Sequence, residues 1–304
     1  MKIMNYWETW VIIYLFSAVI FAQSFKIANR KMKNAGSLTI LLEVFTALFS
    51  ILLIPCFRIS FPSDIKIYLT LFVVTIIYAI TDRLNIEARY GLEPSTFSML
   101  KQLSTVFLII FGLLFLKEEF LINKFIGGII IILANLILAY DNGKLKINKY
   151  FIMCFISNFL FAVAMLINVN ISDYFNLAIY TIITVSIPAL LIFLFERHSI
   201  KELKEEFKLY DKRTFLTAAF TWSLMLISSV KAYQLGNVSV VAPLLALTSI
   251  FNAFVEFVFN KDKSKLKQKL LAAILLLIGI ILVKIKKRKG NPFLFFIYDN
   301  LFYR

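Results

Sequence analysis

Ten apolar stretches of 16 to 22 residues follow one another along this chain of 304 residues, separated by short polar connections. They cover residues 10–25, 38–57, 67–85, 95–116, 125–140, 150–168, 178–195, 215–234, 238–259 and 270–285. A helix rising 1.5 Å per residue needs about 20 residues to cross a hydrocarbon layer of roughly 30 Å. Hydrophobic residues make up 60% of the chain; an average soluble domain has roughly 45–50%. That excess needs lipid, not water, around it, so the expected fold is an all-α polytopic membrane protein. The first stretch also has the basic start and the Ala22-Gln23-Ser24 ending of a signal peptide. It is read as a helix because the repeat described next requires it.

The pattern has a period. Glu87–Gly128 returns 144 residues later as Lys231–Ala272. At that offset Leu100 meets Leu244, Ser104-Thr105 meets Thr248-Ser249, Phe107 meets Phe251 and Glu118 meets Asp262. Identity is weak, but the order of polar turn, apolar run, charged turn and apolar run recurs, and a fixed period speaks to architecture. It divides the chain into a first half at 1–140, a linker at 141–149, a second half at 150–286 and a tail at 287–304. Five helices per half is an odd number, so the halves enter the membrane from opposite sides. The expectation is ten transmembrane helices as a 5+5 inverted repeat, from which secondary transporters build two access states. In the tail, Phe293–Phe302 is apolar but too short to span, and is placed at the interface.

Several kinds of chemistry lack their residues. Cys56 and Cys154 lie in apolar runs without metal-ligand spacing, and the single histidine, His198, sits in a charged loop. No phosphate-binding glycine loop is present. No metal, cofactor or catalytic residue is assigned. The formal net charge of +15 lies mostly in connections, where it suits anionic lipid headgroups and not nucleic acid. The mixed-charge connection Glu196–Arg213 is read as a short, solvated surface helix.

Some local features resemble the EamA-type transporters of the drug/metabolite transporter superfamily over about residues 10–286. Leu116-Lys117-Glu118 closes the fourth stretch, Gly127-Gly128 opens the fifth, Val241-Ala242-Pro243-Leu244-Leu245 lies in the ninth, and Gly279 lies in the last. Two departures are visible. The usual proline partway along the fourth and ninth helices is absent, with Ser104 and Thr248 near that position, and Asp262 stands where a Gly-Glu pair is usual. The resemblance implies a secondary transporter of a small organic metabolite, amino-acid-like or amphipathic, working by alternating access in a cytoplasmic membrane. Its cavity would be lined by helices 1, 3, 4, 6, 8 and 9. The partners would be that solute and membrane lipids, with a homodimer left open. The resemblance also implies termini inside, whereas the Lys and Arg distribution favours termini outside. A flippase for a lipid-linked intermediate on the same fold is the alternative. A membrane enzyme would need more than the isolated His198.

Ionisable side chains within a membrane are costly and mark candidate sites. Glu43 and Lys101 each lie about six residues into their stretch, roughly 9 Å deep. They form either a structural pair or a functional one, with Lys101 meeting an anionic substrate group and Glu43 carrying a coupling proton. Thr248, Asn252 and Glu256 step by four along the ninth stretch and so share a face. The same argument aligns Ser98, Lys101 and Thr105 on the fourth, and Tyr78, Asp82, Asn85 and Arg89 on the third. Trp222 is the repeat counterpart of Tyr78, and Asn158 is mid-membrane on the sixth stretch. The expected substrate-binding set is Tyr78, Lys101, Thr105, Asn158, Trp222, Thr248, Asn252 and Glu256, with Glu43 and Glu256 as proton-coupling candidates. Glu118 and Asp262 are taken as turn punctuation.

Overall fold

Polar residues set the helix starts, two to four positions ahead of the apolar runs. The structure, a computed structural model, describes residues 6–92, 96–97, 100–101, 103–115, 122–141, 144–145, 148–258 and 266–284. Its first half contains α1 (Trp7–Asn29), α2 (Ala35–Ile51), α3 (Ile65–Gly91), α4 (Leu103–Phe115) and α5 (Ile122–Ala139). Then come α6 (Lys149–Ile171), α7 (Leu177–Phe195), a short α8 (Ile200–Lys208) and α9 (Lys212–Leu235). Last are α10 (Val238–Leu245), α11 (Thr248–Val258) and α12 (Leu266–Lys284). Asn34 accepts from the Ser37 N–H at 3.0 Å, Asp64 from Lys66 at 2.9 Å, Asn148 from Phe151 at 2.9 Å and Asp211 from Thr214 at 2.8 Å. Each satisfies a backbone donor that the first helical turn leaves open. In the linker, Tyr140–Asp141 and Lys144–Leu145 pair antiparallel.

Five of these helices, α1, α3, α6, α7 and α9, are long and apolar enough to cross a membrane, and α2, α4 and α11 are shorter apolar helices. Their surfaces are inverted relative to a soluble bundle. On α3, Leu69, Phe72, Val73, Ile76 and Ile80 are exposed along one stripe while Leu71, Val74 and Thr75 are buried. A helix with an apolar outside and small or polar residues inside suits lipid.

The main packing pairs are α1 with α9, α5 with α12, α3 with α6, α2 with α7, α3 with α7, α4 with α6, α2 with α9 and α4 with α10. Adding 144 to the bounds of α1, α2, α3, α4 and α5 lands within three residues of α6, α7, α9, α11 and α12.

The fourth and ninth stretches, expected as continuous helices, are interrupted. Lys101 lies in a turn between helical Leu100 and α4, and Ala246-Leu247 form a turn between α10 and α11. Neither break has a proline at the kink. Hydroxyls accommodate it: Ser104 donates to the Lys101 carbonyl at 2.6 Å, and Thr248 to the Leu245 carbonyl at 2.7 Å. These bonds are equivalent at the 144-residue offset. The Leu100 carbonyl is taken up by Asn158 Nδ2 at 3.1 Å. Side chains that rescue carbonyls at a helix break allow it within a membrane. Ser104→Ala and Thr248→Ala are each expected to lower stability by about 1 kcal/mol, the usual worth of one such bond, measured by thermal unfolding in detergent.

The connection forms the expected short surface helix, mostly exposed, with one face docked on the bundle. α8 forms a capping box from Ser199 and Glu202, and its Glu206, 4% exposed, accepts from the Lys33 and Asn34 N–H groups at 2.9 and 3.3 Å and from the Tyr210 hydroxyl. The Ser199 backbone N–H, and then His198, hold the Glu202 carboxyl below its usual range. Phe207 stacks on Phe45 at 5.2 Å between centroids. Periodicity alone does not reveal this docking, because its anchors lie on the α1–α2 turn and on α2. Ser98, Glu118, Asp262 and the tail from 285 lie outside the described residues.

Candidate functional site

α3 supplies the axis of the site. Its residues Tyr78, Asp82, Asn85 and Arg89 all line a central cavity of about 100 Å³. Tyr14 and Phe21 of α1, Lys101, Ser104 and Thr105 at the fourth-stretch break, and Phe161 and Asn168 of α6 complete one side. Thr181 of α7, Trp222, Ser229 and Tyr233 of α9, and Ala242 and Leu245 of α10 close the other. Both interrupted stretches thus reach the cavity at their breaks.

The walls are aromatic and held in place. Trp222 stacks on Phe21 at 5.6 Å with the rings 15° apart. The Tyr78 hydroxyl accepts from Asn168 Nδ2 at 2.8 Å, and Asn168 in turn accepts from Tyr180. Asn85 accepts from Ser157 at 2.9 Å.

The charges are unusual for such a place. The Lys101 ammonium lies 5.0 Å from the Phe161 ring centroid, and the Arg89 guanidinium 4.0 Å from that of Phe97. No ion pair or hydrogen bond joins either cation to another described side chain. Asp82 shares the cavity with both. Donors on the wall therefore remain available to a bound solute.

Sequence-based candidates divide in two. Tyr78, Lys101, Thr105 and Trp222 line the cavity. Asn158, Thr248, Asn252 and Glu256 are buried but not among its lining residues. Asn158 supports the break at Leu100. Thr248 lies beside the hydroxyl of Tyr14, which does line the cavity. Asn252 accepts from Gln23 of α1 at 3.1 Å, and Glu256 meets Lys269 of α12 at 3.2 Å. Their shared face turns toward neighbouring helices, so the stripe makes interhelical bonds.

Glu43 does not pair with Lys101. It is fully buried, neither carboxyl oxygen finds a donor, and the group it faces is the carboxyl of Asp82. Asp82 thus stands between Glu43 and the cavity. Asp82 and Arg89 are absent from the sequence-derived binding set although they lie on the same stripe as Tyr78; Arg89 falls beyond residue 85, where the apolar run ends, while the helix continues to Gly91.

A comparison with functionally curated proteins finds no match. A solved structure titled "Crystal structure of protein" aligns with a TM-score of 0.65 at 11% identity, covering 91% of this chain and 96% of that chain. That likeness is one of fold. In sequence, residues 8–140 match the EamA-like transporter family, a span that includes α1 to α5 and therefore the Tyr78–Asp82–Arg89 wall and Lys101. With five helices long and apolar enough to cross a membrane, the chain is an integral membrane protein whose residues 8–140 are similar to the EamA-like transporter family.

Proposed function

We propose that the chain is a secondary transporter that carries a small organic solute, amino-acid-like or amphipathic, through the central cavity by alternating access. The carrying observation is the grouping of Asp82, Arg89 and Lys101 between aromatic walls, with neither cation in a salt-bridge contact with a described carboxylate. A carboxylate or phosphate would meet Lys101, an ammonium would meet Asp82, and an apolar body would lie against Trp222 and Phe161. Buried polar groups of this kind select a solute that completes their hydrogen bonds.

The alternating-access part rests on a 5+5 inverted repeat with halves at 1–140 and 150–286. The recurrence of helix bounds at 144 residues supports it. So does the packing: exchanging each half's elements turns the α1–α9 contact into α6–α3, and leaves α2–α7 and α5–α12 as they are. In a repeat of this kind the site lies where the halves meet, at discontinuous helices, as the breaks beside Lys101 and Leu245 would have it.

Proton coupling belongs to the same proposal. The carboxyl of Glu256 faces an ammonium, so coupling is assigned to Glu43 acting with Asp82. A contact between two carboxyls is a hydrogen bond only while one of them holds a proton.

The test is a thermal-shift screen of the purified protein in detergent with amino acids, nucleosides and phosphorylated metabolites. A true ligand at a hundred times its Kd adds about 2.7 kcal/mol of stability. Wild type is expected to respond to one of these classes, and Lys101→Ala and Trp222→Ala to lose the response. No response from any small solute would sink the proposal.

A further inference from the structure

A second, larger cavity of about 340 Å³ opens where α1 and α3 end. It is lined by Lys26, Asn29 and Arg30 of α1, by Arg89 and Tyr90 of α3, and by Phe25 and Phe97, among others. Three cations and no carboxylate stand on its described wall. Asn29 there is 3% exposed, and its side-chain oxygen has no hydrogen-bond partner. Among the described residues, Arg89 is the single one that lines both this vestibule and the central cavity.

The way Arg89 is held matters more than its charge. Its guanidinium lies 4.0 Å from the centroid of Phe97, 5.0 Å from Phe21 and 5.9 Å from Phe25. These rings tie α3 to α1 and to the beginning of the fourth stretch. A cation over aromatic faces is held less firmly than one in a bidentate pair with a carboxylate or phosphate, whose planar geometry matches the guanidinium fork. The present hold is therefore one that an arriving anion can displace.

We propose that Arg89 is a ligand-operated gate between vestibule and cavity, and that the solute it admits carries a carboxylate or phosphate group. This rests on the central cavity being the transport path. The anion draws the guanidinium off Phe97, Phe21 and Phe25, which frees the contact between α1, α3 and the fourth stretch. Arg89 already faces the inner cavity, so it hands the anion on to Lys101 without leaving its own helix. A cation arriving at the same mouth has nothing to offer the guanidinium, and the latch stays shut.

Charged thiol reagents test this in the full chain, reconstituted in lipid nanodiscs so that both faces are accessible. The background is Cys56→Ser, Cys154→Ala and Ser229→Cys, which puts one reactive thiol on the inner cavity wall beyond Arg89. The anionic sulfonatoethyl methanethiosulfonate is expected to label it about tenfold faster than the cationic trimethylammonium analogue, a modest effect for electrostatic focusing in a charged cleft. Arg89→Ala should remove the preference and speed the cationic reagent. Phe97→Leu should speed both reagents while keeping the preference, a response that a merely nearby charge would not give. Arg89→Lys, which keeps the charge, controls for folding and should retain the preference. Equal rates in the wild type, or rates unmoved by Phe97→Leu, would overturn the gate and leave the cavity as a path. No labelling by either reagent in any variant, with the same thiol reacting after unfolding in SDS, would overturn the gate and the transport path together.

Discussion

Lys269→Met is expected to lower the stability of the protein by about 3–5 kcal/mol, the cost of breaking a buried ion pair by removing one partner. Its ammonium lies 3.2 Å from Glu256 Oε2, with side-chain exposures of 7% and 1%. The pair links α11 to α12, beside the contact of Ala272, Ala273 and Leu276 with Ile250 and Ala253. The size of the loss comes from stranding the Glu256 carboxylate without this cation. Replacing both partners should therefore cost far less, since well-packed neutral residues can substitute for a buried pair. Thermal unfolding in detergent of Lys269→Met, Glu256→Gln and the double variant separates the cases. A single-variant loss below about 1 kcal/mol would mean that the pair behaves as a surface one.

Asp82→Asn should abolish solute accumulation driven by a pH gradient, and Glu43→Gln, at a residue that does not line the cavity, should do so while leaving solute-for-solute exchange intact. Asp82 touches the cavity and faces Glu43 behind it. The groups around the pair are Lys101, Arg89 and the Tyr78 hydroxyl. One proton shared between two carboxyls can leave and return once per cycle. An asparagine carboxamide donates to Glu43 permanently and releases nothing. For one proton per solute, a gradient of one pH unit is worth about 1.4 kcal/mol, or tenfold accumulation. In proteoliposomes that ratio should fall to unity in Asp82→Asn and Glu43→Gln. Accumulation that persists in both variants would remove the carboxyl pair from the coupling scheme, whatever the solute.

The apolar runs made the helices legible, and the 144-residue period marked which ones correspond. Their ends were less so, because Asn34, Asp64, Asn148 and Asp211 fix them from outside the apolar runs. The α3 stripe could be read because four polar residues on one apolar helix need a wet or paired neighbour. The ninth-stretch stripe had the same appearance and other neighbours, Gln23 and Lys269. Spacing gives a face of a helix, but not the direction in which packing turns that face. Glu43 and Lys101 show the same limit: counting from a helix end gives depth, while azimuth comes only from the bundle, which sets Asp82 between Glu43 and the cavity. The break at Ala246-Leu247 left one trace in the sequence, a hydroxyl where proline is usual.

That substitution changes what the two breaks are able to do. A proline kink is permanent, since the ring removes an N–H and blocks the preceding turn. At Lys101–Ser104 and Leu245–Thr248 every residue keeps its amide hydrogen, and the kink is held by a hydroxyl on a carbonyl that a straight helix would also use. Across both breaks the backbone therefore retains the donors needed for a continuous helix. An unbroken geometry would differ from this one by the exchange of a few hydrogen bonds. Amide exchange at Ser104 and Thr248 would register whether that geometry is visited.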